Sequence, residues 1–200
     1  MFNILKNYSL SKIFYLFYCK VRTYFIFNNA RLIRFPFDLR GKKFISLSDG
    51  LTTGVGCRIE AYPVDLSSKV LHIGKNVQLN DYVHITAVRS VEIGDNVLMA
   101  SKIYISDCIH GSYLGDDNDS HPHLFPADRP LSVKSVKIEA NVWLGEFVSV
   151  LPGVTIGQGT IVGANSVVSK SLPAYVIAVG SPAKPIKEFN FKTNKWEKIC

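Results

Sequence analysis

Residues 101–115 read SKIYISDCIHGSYLG and bring Asp107, Cys108, His110 and Tyr113 into one short run. A neutral imidazole titrates near neutrality and can take a proton from a hydroxyl, so His110 is a candidate general base. Cys108 would serve as a nucleophile only if neighbouring cations lowered its thiol. None adjoin it in sequence, and a structural thiol is the simpler reading. A single histidine is weak evidence without the element that presents it.

That element is a repeat. The segment VSVLPGVTIGQGTIVGANSVV returns to Val or Ile at every sixth residue, at Val150, Ile156, Val162 and Val168. Six is the wrong period for an amphipathic helix, and an ordinary strand would place apolar residues at every second position. It is the beat of a parallel β-helix, in which each short strand turns one aliphatic inward and stacked coils share a core. Traced backwards, the inward positions form five groups of three. They are Ile45, Leu51, Cys57; Ile73, Leu79, Ile85; Ile93, Met99, Ile105; Ile138, Leu144, Val150; and Ile156, Val162, Val168. A second set, among them Val77, Val97, Val142 and Val154, is small or β-branched, as a narrow interior requires. Glycine follows several inward residues (Gly74, Gly94, Gly145, Gly157, Gly163), which suits a corner of positive φ. The expected fold is an all-β solenoid of about five coils spanning residues 41–180, with an N-terminal cap over 1–40 and a short tail over 181–200. The beat breaks after Cys57, after Ile85 and most widely over 111–137, and so long an excursion is expected to carry function.

The chain of 200 residues, 47% hydrophobic and 20% charged, suits one globular domain and excludes a disordered polymer. Cys19, Cys57, Cys108 and Cys200 show no C-x-x-C pair, so neither a disulfide framework nor a zinc ribbon is implied, and a reducing, cytoplasmic setting is expected. The net charge of +7 is uneven, because residues 1–37 hold six Lys and Arg, from Lys6 to Arg34, and no acid. Aromatics from Phe2 to Phe27 interleave them. This composition reads first as a cap that covers the first coil, a reading compatible with peripheral contact with the inner face of an anionic membrane. The apolar run from Ile13 to Cys19 is short for a signal peptide, no segment approaches a membrane span, and no nucleic-acid-binding motif is present.

The segments IGDNVLMASKIYISD…H and VKIEANVWLGEFVSVLPGVTIGQGTIVGANSVVSKSLPAYVIAVGSPAKPIK resemble the hexapeptide-repeat acyltransferases, and within them the sugar O-acetyltransferases. The resemblance spans about residues 70–188. It implies a left-handed parallel β-helix and acetyl-CoA as co-substrate, with no metal required. His110 matches the family's base, and Asn80 its active-site asparagine. Trp143 and Gly145 match the wall for the pantetheine arm, Ala164, Ser169 and Lys170 match coenzyme A contacts, and Lys184 and Lys187 lie where basic residues meet the nucleotide phosphates. Asp81, Tyr82, His84, Asp107 and Tyr113 are the candidate acceptor contacts. Two positions depart from the galactoside enzymes: Val88 stands where they carry an acid, and Gly111 follows the base where they have proline.

By the same resemblance the chain is expected to act as a homotrimer with sites between subunits, on a glycan or lipid-linked sugar of bacterial surface polysaccharide such as O-antigen or capsule. An amino-sugar N-acetyltransferase and an inactive scaffold are the alternatives. A γ-class carbonic anhydrase shares the fold type, but His72, His84, His110, His121 and His123 lack its paired spacing.

Overall fold

Each hexad extends for two or three residues and then turns a corner, so three hexads carry the chain once around a triangular coil. The structure is a computed structural model that describes residues 8–199; the start of the cap, with Phe2 and Lys6, and Cys200 at the end of the tail lie outside the described residues. Stacked coils build three parallel faces. The first holds Ile45–Leu47, Leu71–Ile73, Val91–Ile93, Val136–Ile138 and Thr155–Ile156. The second runs from Thr52–Thr53 through Gln78–Leu79, Leu98–Met99, Trp143–Leu144 and Ile161–Val162 to Val176–Gly180. The third runs from Phe37–Arg40 through Cys57–Ala61, His84–Ala87, Tyr104–Ser106 and Ser149–Val150 to Val167–Val168. The aliphatic columns expected from the hexads fill the interior. Ile73, Ile93, Ile138 and Ile156 stack in register, as do Leu79, Met99, Leu144 and Val162, all of them buried.

The first coil corrects the expected register. Leu47, Thr53 and Ile59, not Ile45, Leu51 and Cys57, align with Ile73, Leu79 and Ile85. A slip of two residues leaves a strand's inward face unchanged, so the apolar pattern gave no warning of it. Residues 30–40, expected in the cap, instead begin a further partial coil: Leu32 bridges Thr52 and Phe37–Arg40 pairs with Cys57–Glu60.

The corners carry a second correction. Positive φ falls three residues after the inward position, at Asn76, Asn96, Asn141 and Asn165, and also at Tyr82, Lys102 and Phe147. Asparagine tolerates this region, and its side chains add a ladder, with Asn76 Nδ2 donating to Asn96 Oδ1 (3.4 Å) and Asn96 Nδ2 to Asn141 Oδ1 (3.2 Å). The glycines just after the inward residues serve close approach instead. A Cβ on Gly145 would stand 2.7 Å from the Ala164 nitrogen.

All three breaks in the beat fall on one edge of the prism, between the third and first faces. The long excursion leaves earlier than expected: Cys108–His110 already pairs antiparallel with Leu131–Val133, and Val136 is back in the solenoid. Antiparallel strands Ala183–Asn190 and Lys195–Lys198 extend the second face, so the tail is not irregular. At the other end helix α1 (Leu10–Ile26), capped by Ser9 Oγ, covers the open coil.

Candidate active site

The edge between the second and third faces is a column of backbone hydrogen bonds. Asn80 N donates to Met99 O (2.9 Å), Ala100 N to Leu144 O (2.9 Å) and Gly145 N to Val162 O (2.8 Å). Asn80 and Gly145 therefore share this edge two coils, about 10 Å, apart. Asn80 is exposed, and Ala164 lies exposed in the next turn along the column. Trp143 stands on the second face, 48% exposed, in a cross-strand row with Leu98, Ile161 and Ile177 that reaches Lys187 and Lys198, with Lys184 opposite Val179. An aromatic plane at one end and two ammonium groups at the other can hold an apolar arm and a phosphate along one face.

His110 lies on the other side of the third face, on the excursion hairpin. Its ring is exposed and makes no hydrogen bond among the described residues, while its carbonyl accepts the Tyr113 hydroxyl at 2.8 Å. Arg129 holds the excursion together by donating to that hydroxyl (2.7 Å) and to Leu124 O (3.0 Å). A cleft of about 230 Å³ opens between Ile109, Tyr113 and Leu114 of the excursion and Leu151, Pro152 and Ser169 of the solenoid. Lys170 follows Ser169, exposed. One chain thus presents two separate sets. Asn80, Trp143, Gly145, Ala164, Lys184 and Lys187 lie about the second face, and His110, Tyr113, Ser169 and Lys170 lie at the excursion. Ala164 and Ser169 are five residues apart across the third face, roughly 16 Å of extended chain.

Of the candidate acceptor contacts, the structure removes Asp107. It is fully buried, and its carboxylate accepts the backbone N–H groups of Val88 (2.9 Å), Arg89 (2.7 Å) and Ser90 (2.7 Å). It ties down the 88–90 break and has nothing left to offer a ligand. Asp81 is half-buried, accepting from Val55 N at 2.8 Å and pairing with Arg34 at 3.5 Å. Tyr82 takes a corner of φ +59° against Gly56. Tyr113 keeps its ring exposed, but its hydroxyl is engaged within the loop.

His84 belongs to a network that sequence reading missed. Glu60, 2% exposed, receives Arg40 (2.9 Å) and Arg58 (2.8 Å) on Oε1 and His84 Nε2 (3.0 Å) on Oε2, with Tyr62 and Thr86 hydroxyls also donating. Burial alone would push its carboxyl up, but the donors, Arg58, His84 and Tyr62 foremost, outweigh it and hold the carboxyl down at about 2. With a carboxylate on Nε2, a neutral His84 carries its proton there and leaves Nδ1 as an acceptor. The signal lay in Asp38-x-Arg40 and Arg58-x-Glu60, outward pairs on successive coils, hidden by the two-residue slip in register.

A hollow of about 650 Å³ along the first face between His72, Glu92 and Lys137 holds none of the predicted site residues. Its floor is the dent left by Gly74 and Gly94. Among the described residues no group of three or more His, Cys, Asp or Glu could hold a metal ion.

Comparison with known proteins adds to this geometry. Residues 135–170 match the family described as bacterial transferase hexapeptide (six repeats). The chain is 45% identical over 172 residues, 86% of either chain, to the Escherichia coli K12 protein named "Putative lipopolysaccharide biosynthesis O-acetyl transferase WbbJ". The structure of a galactoside acetyltransferase in complex with coenzyme A is 28% identical, with a TM-score of 0.53 over 76% of this chain and 68% of that one. The fold is also that of a mutant of AntD, an N-acyltransferase from Bacillus cereus in complex with dTDP-4-amino-4,6-dideoxyglucose and coenzyme A. There the TM-score is 0.67 at 22% identity, covering 82% of this chain and 83% of that one.

Proposed function

The chain belongs to the hexapeptide-repeat transferases, left-handed parallel β-helix acyltransferases, and from that premise we propose an acetyl-CoA-dependent O-acetyltransferase that acts on a sugar hydroxyl in bacterial surface polysaccharide biosynthesis. The observation that carries it is His110, an exposed residue at the root of the excursion whose imidazole has no hydrogen-bond partner among the described residues. Its ring takes the proton of the acceptor hydroxyl as the oxygen attacks the thioester carbon. The oxyanion is met by the Asn80 amide or a backbone N–H, and collapse expels the coenzyme A thiolate, which recovers the proton from the imidazolium. Trp143, Gly145, Ala164, Ser169 and Lys170 line the pantetheine path, and Lys184 and Lys187 meet the nucleotide phosphates. His84, Asp81 and Tyr82 face the acceptor.

Family members are typically trimers that use sugar acceptors. A homotrimer is the assembly that the two separate sets call for, since copies around a three-fold axis can set the excursion edge of one against the second face of the next. The solenoid from the partial coil at 30–40 to residue 180 forms the catalytic unit, the antiparallel strands Ala183–Asn190 and Lys195–Lys198 close its far end, and helix α1 closes its near end and meets the inner face of the membrane, where a lipid-linked glycan would be presented. Among the described residues no helix is long and apolar enough to cross a membrane.

Release of free thiol from acetyl-CoA on a panel of glycans and simple sugars tests the reading. His110→Ala should lose about 10²–10⁴-fold in turnover while still binding acetyl-CoA. Undiminished turnover in that variant would remove His110 as the base, and a wild-type chain that binds no acetyl-CoA would leave an inactive scaffold.

A further inference from the structure

Helix α1 turns its polar-contact side inward and an apolar side outward. On the inner side, Cys19 and Thr23 are buried, Thr23 Oγ1 accepts the N–H of Ile33 (2.8 Å), the Tyr15 hydroxyl donates to Phe35 O, and Lys20 Nζ donates to Arg31 O (2.7 Å). These bonds satisfy an edge that another coil would otherwise have to cover. On the outer side Leu10, Phe14, Phe17, Val21, Tyr24 and Phe25 recur at helical spacing in one stripe, with Phe14, Phe17 and Phe25 at 71%, 69% and 76% exposure. At about 100° per residue, Lys20 and Arg22 fall on opposite flanks of that stripe, both exposed, Lys20 with one donor on Arg31 O and Arg22 with its guanidinium over the Phe35 ring (4.1 Å) and donating to the Tyr18 hydroxyl (2.8 Å).

We infer that this stripe is a docking surface for an anionic lipid bilayer, on which α1 lies flat with its rings in the interface and its cations among the headgroups. The helix of 17 residues is too short and too polar at its flanks to span, but has the form of an interfacial helix. Charge decides between occupants. No Asp or Glu precedes Asp38, while six Lys and Arg do, so two copies meeting stripe to stripe would crowd like charges, whereas acidic headgroups complement them. Because α1 covers the end of the prism, the stripe faces along the coil axis, away from the catalytic faces. Only the consequence rests on the acetyltransferase reading: in a trimer with parallel axes, three stripes share one end, so attachment is multivalent and the excursions stand at a fixed height above the lipid.

The test is co-sedimentation of the full chain with vesicles of phosphatidylcholine alone or with a quarter phosphatidylglycerol. Sedimentation mass, thermal unfolding and thioester turnover are followed alongside. The expected result is at least tenfold preference for the anionic vesicles, weakened by 0.5 M salt. Phe14→Glu with Phe17→Glu should abolish binding with unfolding and mass unchanged, and Arg22→Ala, which also gives up its contacts with Phe35 and Tyr18, should weaken binding several-fold with mass unchanged. Equal partition to neutral and anionic vesicles, or full binding by the double glutamate variant, would overturn the inference. A fall in mass in that variant would overturn it too, by assigning the stripe to a second copy. Turnover in solution without vesicle binding would leave the enzyme reading intact, and vesicle binding without acetyl-CoA binding would do the reverse.

Discussion

Glu60 and Asp107 are two buried carboxylates with different work. Asp107 is spent on three backbone N–H groups, so Asp107→Ala should cost about 3 kcal/mol or more in denaturant unfolding and release the 88–90 segment. Glu60 has its folded pKa depressed from the ordinary 4.5 to about 2. The unfolded chain therefore binds the extra proton first as pH falls, so the network's contribution is present above about 4.5 and lost on the way down to about 2. Glu60→Gln should be less stable at neutral pH and show a flatter loss of stability across that window, measured by thermal unfolding at stepped pH. If His84 faces the acceptor, His84→Ala should raise the acceptor KM while leaving the KM for acetyl-CoA unchanged. A change in the acetyl-CoA constant alone would place His84 outside the acceptor site.

Corners, not strands, set the tolerance of the coil to substitution. Asn96 combines a φ of +58° with two ladder bonds, so Asn96→Ala should cost about 1–3 kcal/mol and Asn96→Gly less, because glycine keeps the backbone and loses only the ladder. Gly145→Ala should be worse than either, since its Cβ would meet backbone atoms of the next coil, which cannot rotate aside. Unfolding midpoints of the three variants check the order. The hexad beat was readable because one inward aliphatic per strand is a demand of packing. The corner residues were not, because glycine suggests positive φ and close approach equally, and only the stacked neighbour tells which applies.

Assembly is where the two residue sets meet or fail to meet. If His110 of one copy works with Asn80 of the next, co-expressed His110→Ala and Asn80→Ala chains should form mixed trimers in which one site of the three is intact, about a quarter of all sites after random assembly, and turnover should reappear that neither variant shows alone. Its absence in trimers of proven mixed composition would place both groups in one chain's site. Sedimentation of the wild type should give three times the 22.3 kDa chain mass.

The solenoid, its inward columns and the long excursion were legible in the residues, because a hydrophobic period of six has few other solutions. His110 stood out because it lies where that period stops. The sequence could not decide the register of the first coil, since a two-residue slip preserves the inward face. Nor could it show that Asp107, two residues past an inward isoleucine, turns in to bond the backbone, or that Glu60 gathers Arg40 and His84 from the coils on either side of its own strand, which supplies Arg58. Those outcomes depend on which strands lie side by side, and stacking distance, not order along the chain, sets which charges meet.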